Sequence, residues 1–175
     1  PVSLSLRPAT ADDIPALHAL IERGYRGESA KKGWTHEADL LGGQRTSTDE
    51  LSGIITDPDQ VILLAQSGGV LIGCVRLMRL DDGSAYLGML TVDPVRQAGG
   101  MGRTLLEAAE AEARSRFGVG RMEMTVISTR SELIAWYERR GYRLTGRTEP
   151  FPAEVQDFGD LPPRTLEFVV MYKPL

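Results

Sequence analysis

The most informative stretch of this sequence is Leu90-Thr91-Val92-Asp93-Pro94-Val95-Arg96-Gln97-Ala98-Gly99-Gly100-Met101-Gly102-Arg103. A strand pattern runs through a glycine-rich turn directly into a helix pattern. The first N–H groups of a helix have no partner within the helix, and they carry the positive end of its dipole, roughly half a unit charge. Such a turn can bind phosphate, and its three glycines allow close approach to the backbone.

Two well-known phosphate loops do not fit this turn. A Walker loop requires G-x-x-x-x-G-K-[ST], and no Lys follows the glycines. The dinucleotide fingerprint G-x-G-x-x-G is also missing. Taken by itself, the glycine cluster remains equally compatible with a plain loop ahead of a helix.

The sequence on either side of the turn predicts an α/β (α+β) chain in the order β-α-α-β-β-β-α-β-α-β-β. Hairpins come first and a crossover follows, so we expect a mixed, mostly antiparallel sheet flanked by helices. The helical pattern breaks down between Gly24 and Arg45, where we expect an irregular segment. The strand patterns cover residues 2–6, 61–66, 70–80, 85–92, 121–127, 143–148 and 165–172.

Composition narrows the function classes. The chain has 175 residues, 42% of them apolar, and a net charge of −4 without a long basic run, which disfavours a nucleic-acid partner. We find no signal-peptide pattern and no apolar stretch long enough to span a bilayer, so we expect a cytoplasmic protein without a membrane partner. The single cysteine, Cys74, lies in an apolar run and is interpreted as a buried structural thiol. No metal site is predicted.

Two motifs resemble a known family. The segment Gln97-Ala98-Gly99-Gly100-Met101-Gly102 matches the pattern Q/R-x-x-G-x-G/A, and Ile134-Ala135-Trp136-Tyr137-Glu138-Arg139-Arg140-Gly141-Tyr142 matches an apolar-Tyr-Glu-basic helix that ends in Gly and an aromatic. On these motifs the chain resembles the GNAT superfamily of N-acetyltransferases, most strongly over residues 85–146. The resemblance implies one acyltransferase domain over residues 1–175, with a splayed central strand pair that opens a cleft for acetyl-CoA.

The resemblance also implies roles for individual residues. The backbone of Leu90, Thr91 and Val92 would hold the acetyl carbonyl and the pantetheine arm, and Tyr137 would face the thioester sulfur. A phenol ordinarily has a pKa of about 10, so it can donate a proton to a leaving thiolate. The helix pattern alone favours a core aromatic at Tyr137, and the functional role follows only from the resemblance. The pyrophosphate would lie on the turn formed by Gln97, Ala98, Gly99, Gly100, Met101, Gly102 and Arg103.

The sequence departs from the family pattern at two places. Arg130 stands where many relatives carry an Asn that contacts the cofactor, and it would reach a phosphate as a cation or lie exposed at the helix start. Near Tyr86, some relatives carry a glutamate base that is missing here. Glu123, Glu28 and Glu37 are the remaining candidates for deprotonating the acceptor amine, and each is otherwise a solvated surface acid.

The acceptor is expected to bind in the segment from Tyr25 to Arg45 and near the loop at residues 150–152. Trp34 could form a platform, Glu28 or Glu37 could bind a cationic amine, and Arg26 or Arg45 a carboxylate. We therefore expect a primary amine of a small molecule or peptide as acceptor. A module that binds acetyl-CoA without turnover is the alternative, and a homodimer is compatible with the edges that a mixed sheet leaves exposed.

Overall fold

The computed structural model describes residues 4–32, 47–93, 100–150 and 167–175, with the side chains of residues 25–32 outside that description. The strands are β1 (Leu4–Pro8), β2 (Gln60–Ser67), β3 (Val70–Arg79), β4 (Ala85–Val92), β5 (Arg121–Ile127), β6 (Arg143–Pro150) and β7 (Glu167–Pro174). The helices are α1 (Ile14–Lys32), α2 (Thr48–Thr56), α3 (Met101–Glu112) and α4 (Ser131–Arg139), with a 3-10 turn (Ala11–Asp13) before α1 and a π turn (Ala113–Phe117) after α3. The predicted order of elements is confirmed.

The seven described strands form one sheet in the order β1-β2-β3-β4-β5-β7-β6. Every neighbouring pair is antiparallel except β4 and β5, which run parallel. The crossover from β4 to β5 passes through α3, as parallel neighbours require. This arrangement confirms the mixed, mostly antiparallel sheet flanked by helices.

Two apolar cores lie on opposite faces of the sheet. A single strand contributes to both cores, because successive residues along it point to opposite faces of the sheet. The core under α3 and α4 contains Leu63, Leu77, Leu87, Leu105, Leu106, Ala109, Met122, Met124, Val126, Tyr137, Tyr142 and Met171, among others. The core under α1 and α2 contains Leu17, Leu20, Ile21, Leu51, Ile54, Ile62, Leu64 and Cys74.

The prediction of an irregular segment from Gly24 onward is wrong as far as Lys32, because α1 continues to that residue. Glycine weakens a helix interior by about 1 kcal/mol, which is why the sequence pattern suggested a break. The reason for the glycine is packing: a Cβ at Gly24 would lie 2.4 Å from Cγ2 of Thr91. Gly24 therefore marks the place where α1 crosses β4 at close range.

Side-chain caps fix the starts of the two helices on this face. Ser47 Oγ accepts a hydrogen bond from Glu50 N at 3.1 Å, so α2 begins where its capping pattern predicts. Ahead of α1, Thr10 N donates to Asp13 Oδ2 at 2.7 Å, and Arg7 donates to both oxygens of Asp13 at 2.8 and 2.7 Å. These bonds tie β1 to the start of α1.

Candidate functional site

A cleft opens in the middle of the sheet, between β4 and β5. Among the described residues these strands pair at two positions, Ala85 with Met122 and Tyr86 with Glu123. From Leu87 onward β4 continues beside β3 and separates from β5. The two parallel strands thus form a V whose apex lies at Tyr86 and Glu123, as the predicted splayed strand pair requires.

A β-bulge shapes the β4 side of this cleft. Between the pairs Cys74–Thr91 and Arg76–Gly88, one residue of β3 stands opposite Met89 and Leu90 of β4. Met89 has a φ of 52°, a left-handed conformation that is uncommon for a residue with a side chain. Bulges of this kind bend a strand and re-aim its backbone, often beside functional sites.

Two side chains hold the bulge in place through the carbonyl oxygen of Met89. Thr91 Oγ1 donates to this oxygen at 3.0 Å, and Cys74 Sγ lies 3.6 Å from it as a weaker donor. Cys74 is fully buried, and burial raises the pKa of its thiol to about 12. That environment matches the predicted structural thiol, since a reactive cysteine needs its thiolate form.

Helix α3 begins nine residues after the last residue of β4, the strand that lines the cleft. Gly100 caps the helix with a φ of 77°, and a Cβ there would meet no atom of the described residues within 4 Å. The first turn of α3, all of it described, carries no acidic side chain. The N–H groups of residues 101–103 therefore lie at the positive end of the helix dipole, which is a favourable position for an anion.

Helix α4 packs its aromatic residues against this first turn. A Cβ on Gly102 would lie 3.7 Å from the Trp136 ring, so the ring rests on α3 one residue into the helix. The Tyr137 ring lies edge-to-face with Trp136, their centroids 5.1 Å apart. The Trp136 ring thus lies between Tyr137 and the first turn of α3. Tyr137 itself is only 6% exposed and belongs to the core.

A buried polar cluster that the sequence analysis missed fixes the end of α4. Glu110 of α3 is 6% exposed and accepts bonds from Tyr142 Oη at 2.9 Å and from Lys173 Nζ at 3.0 Å. Burial, followed by the charge of Glu110, raises the pKa of Tyr142. The sequence contains a signal for a buried carboxylate here, since Glu110 follows Leu106 by four residues on the apolar face of α3.

Glu123, a candidate on the acceptor side, lies at the apex of the V and is 8% exposed. Its Oε1 accepts a bond from Arg147 Nη2 at 3.0 Å, and Ser84 Oγ lies 3.4 Å from its Oε2. Arg147 was not singled out from the sequence. No periodicity signals it, because its contact depends on β6, β7 and β5 lying side by side.

The other predicted site residues divide between described and undescribed parts of the chain. Arg130 occupies the N-cap of α4 and is partly buried. Arg103 forms an exposed pair with Glu107 at 3.1 Å. The predicted residues Gln97, Ala98, Gly99, Trp34, Glu37 and Arg45 lie outside the described residues, as do the side chains of Tyr25, Arg26 and Glu28.

A separate depression of about 190 Å³ shares no residue with the cleft and is smaller than most ligand pockets. Within the described ranges, no group of three or more His, Cys, Asp or Glu side chains is placed to hold a metal ion. None of the described helices is both long enough and apolar enough to cross a membrane.

The sequence of this chain is similar to those of known acetyltransferases. The model of the acetyltransferase (GNAT) family matches residues 17–142. A mycothiol acetyltransferase of Clavibacter sepedonicus is 28% identical over 143 residues, which are 82% of this chain and 44% of that protein. An amino-acid acetyltransferase of Azotobacter vinelandii is 34% identical over 91 residues, 51% of this chain and 20% of that protein. The chain thus spans less than half the length of these curated relatives.

Solved structures share the fold over nearly the whole chain. The PaiA N-acetyltransferase of Thermoplasma acidophilum, solved with coenzyme A, has a TM-score of 0.75 at 19% identity, covering 99% of both chains. The ribosomal-protein-S18-alanine N-acetyltransferase of Escherichia coli has a TM-score of 0.72 at 19% identity, covering 98% of this chain and 94% of that one. At these identities the likeness establishes the fold.

Proposed function

The chain belongs to the acetyltransferase (GNAT) family, and on that premise we propose that it transfers the acetyl group of acetyl-CoA to a primary amine of a small molecule or peptide. The observation that carries this proposal is the cleft between β4 and β5, together with the start of α3, where Gly100 offers no side-chain cap and the first turn carries no acid. We further propose that residues 1–175 form one acyltransferase domain that works in the cytoplasm.

The cleft offers suitable groups for each part of acetyl-CoA. We assign the pyrophosphate to the turn at residues 97–103, where backbone N–H groups and a helix dipole favour negative charge. Arg130, at the N-cap of the neighbouring helix α4, supplies a cation for a phosphate. The pantetheine arm and the acetyl group lie along the backbone of Leu90, Thr91 and Val92, which face the opening left by β5.

The proposed reaction is direct attack of the amine on the thioester carbonyl in a ternary complex. A backbone N–H in the β4 bulge, at Leu90, stabilises the negative charge that develops on the carbonyl oxygen. As the carbon–sulfur bond breaks, the Tyr137 hydroxyl donates its proton to the departing thiolate. The amine proton leaves to water or to a carboxylate, for which Glu123, Glu28 and Glu37 remain the candidates.

The proposed acceptor is a primary amine. The curated relatives are named for mycothiol and for amino acids, so small amine acceptors are supported more directly than proteins. A module that binds acetyl-CoA without turnover is the second candidate, because β4 carries Tyr86 where a carboxylate base is expected.

Calorimetric titration with acetyl-CoA tests the proposed cofactor, using two matched variants. Gly100→Trp fills the turn, whereas Gly118→Trp makes the same change at another left-handed glycine in open space at the far end of α3. We expect saturable binding by the wild type and the Gly118 variant, and loss of binding in the Gly100 variant. Absence of binding by the folded wild type would contradict the proposal.

Thiol release in the presence of an amine panel then separates an enzyme from a binding module. The acetyltransferase proposal requires amine-dependent release of coenzyme A above the rate of hydrolysis. Tight binding of acetyl-CoA with no release for any amine would favour the module.

A further inference from the structure

Arg147 lies beside the apex of the V, where it bonds to Glu123 on the face of the sheet turned away from α3. Met122 and Met124 pack into the core under α3, so the alternation of β5 turns Glu123 and Thr125 to the other face. On that face Tyr86 Oη and Thr125 Oγ1 are 2.6 Å apart, a bond that joins β4 to β5 just beyond their last pair. A polar surface therefore continues from Glu123 into the cleft.

A bulge in β6 directs Arg147 to this place. Leu144 pairs with Met171 and Thr148 with Val169, so three residues of β6 stand opposite one of β7. Gly146 adopts a φ of 88° within this bulge. Bulges of this kind re-aim a side chain, and here the guanidinium reaches across β7 to Glu123 on β5.

Side-chain bonds close the bulge on itself. Thr145 Oγ1 donates to the carbonyl oxygen of Val170 at 3.0 Å and accepts from Arg147 N at 3.0 Å. The backbone that carries Arg147 is thus fixed before any ligand arrives. A guanidinium held in this way loses less conformational freedom when it binds a second partner.

The exposures of the two ion-pair partners differ greatly. The side chain of Glu123 is 11% exposed, whereas that of Arg147 is 59% exposed. A ligand that approaches the apex therefore meets the cation first. Arg147 has five N–H donors in a planar fork, and the bond to Glu123 uses one nitrogen, so the fork has the capacity to bind a second carboxylate.

The charged groups around Glu123 are consistent with Arg147 as the outward-facing cation of the apex. Arg121 Nε lies 3.5 Å from Oε2 of Glu123, and its guanidinium stacks 4.5 Å above the Tyr172 ring. Asp82 accepts a bond from Ser84, which is the main reason that its pKa is lowered, and the charge of Arg121 lowers this pKa further. Glu123 is thus flanked by two guanidinium groups, and the outer one is Arg147.

We propose that Arg147 binds a carboxylate of the acceptor and so selects amine acceptors that carry one, such as amino acids. Glu123 acts in this scheme as a positioning residue that holds the guanidinium at the apex. The inference rests on the proposed acetyl transfer and names the acceptor class for the same cleft.

The test compares free amino acids with their C-terminal amides as acceptors, with thiol release from acetyl-CoA as the readout. The amides keep the primary amine and lose the carboxylate. For the wild type we expect a kcat/KM at least about tenfold higher with the best free acid than with its amide, since a charge-assisted bidentate pair is stronger than the neutral hydrogen bond that an amide can accept. Equal use of acid and amide would overturn the proposal.

Three variants test whether the preference for the free acid depends on Arg147. In Arg147→Gln we expect the KM for the free acid to rise about tenfold or more, with the amide and acetyl-CoA kinetics nearly unchanged. Arg147→Lys should recover part of the preference, because it keeps the charge but not the fork. Arg116→Gln breaks a comparable ion pair, with Glu112 on the opposite side of the sheet. This variant should leave the kinetics with the free acid and with the amide unchanged. An unaltered preference in Arg147→Gln would overturn the assignment to this residue.

Failure of the inference is distinguishable from failure of the proposed function. Thiol release with amines that lack a carboxylate, and none with any amino acid, would overturn the carboxylate selection while leaving acetyl transfer intact. Absence of acetyl-CoA binding by the folded wild type, measured by calorimetry, would overturn both the proposed function and the carboxylate selection.

Discussion

At the scale of single residues, the most informative position is Tyr137, because its two interpretations make different demands. As a core aromatic it needs only its ring, which contacts Trp136 and Tyr142 at centroid distances of 5.1 and 5.8 Å. As a general acid it needs its hydroxyl. The sequence pattern could not separate these, because an amphipathic helix buries either kind of aromatic.

Tyr137→Phe removes the hydroxyl and keeps the ring. If Tyr137 protonates the leaving thiolate, we expect kcat to fall about 100-fold or more, while the KM for acetyl-CoA changes less than about threefold. Tyr142→Phe is the matched control, since it also removes a buried hydroxyl but one bonded to Glu110, and it should alter stability more than kcat. A kcat within threefold of the wild type in Tyr137→Phe would leave only the core role.

Asp13 gives a prediction about pH. The bonds from Arg7, aided by those from Thr10 and opposed by burial, hold the pKa of the Asp13 carboxyl below its usual range. A folded pKa below the unfolded value of about 3.9 means that the stabilisation is complete above that value and disappears as the pH falls below it. The melting temperature of the wild type should therefore drop more between pH 5 and pH 2 than that of Asp13→Asn.

The control for this measurement is Asp12→Asn, which removes the same charge from an exposed position in the same turn. Its melting temperature should follow the wild type across the pH range. Parallel pH profiles for the wild type and Asp13→Asn would show that the Arg7–Asp13 contact adds no stability in solution.

At the scale of elements, close packing decides where glycines stand within a helix or a strand. Gly24 in α1 faces Thr91 of β4, and Gly73 in β3 faces Leu105 of α3 and the carbonyl oxygen of Thr91. These contacts bring both helices within reach of the bulged strand. The sequence shows such a glycine only as a weak point, because the partner that excludes a side chain lies far along the chain.

Gly24→Ala places a methyl group 2.4 Å from Thr91 Cγ2. Thr91 cannot turn away without losing its bond to Met89, so we expect a loss of about 1–3 kcal/mol in the free energy of unfolding and weaker acetyl-CoA binding. Denaturant unfolding and calorimetry measure the two effects.

Two further variants make the explanation specific. Gly53→Ala in α2 meets no atom within 4 Å and should raise stability by about 0.5–1 kcal/mol. Adding Thr91→Ser to Gly24→Ala removes the clashing methyl and keeps the hydroxyl, so stability should recover. A Gly24→Ala protein as stable as Gly53→Ala would exclude the close contact.

At the scale of the whole molecule, one buried carboxylate joins elements that are distant in sequence. Glu110 in α3 accepts from Tyr142, which follows α4, and from Lys173 in β7. The cluster therefore anchors the helix that carries Tyr137 to the sheet and to the helix that begins at the proposed phosphate turn. Its members are 63 residues apart at the extremes.

Glu110→Gln and Glu107→Gln make the same change one turn apart on α3. Glu110 is buried and faces Lys173, so we expect its variant to lose about 2 kcal/mol in the free energy of unfolding by urea. Glu107 is 64% exposed beside Arg103, and its variant should stay within about 0.5 kcal/mol of the wild type. Equal losses in the two variants would argue against the anchoring role.

The sequence by itself determined the order of elements, the mixed sheet and the glycine that precedes α3. These follow from local physics, since the hydrophobic period separates strands from helices and glycine marks turns and left-handed caps. Gly141, the glycine that ends the helix of the second motif, has a φ of 98° at the end of α4.

Only the tertiary structure decided which residues meet at the cleft. The Arg147–Glu123 pair, the Glu110 cluster and the contact between Gly24 and Thr91 each join residues at least 24 positions apart. Such pairings depend on strand order, on the registers set by the bulges at Met89 and Gly146, and on how closely helices pack. Local periodicity contains none of this information, because it specifies which face of an element is apolar and not what will lie against it.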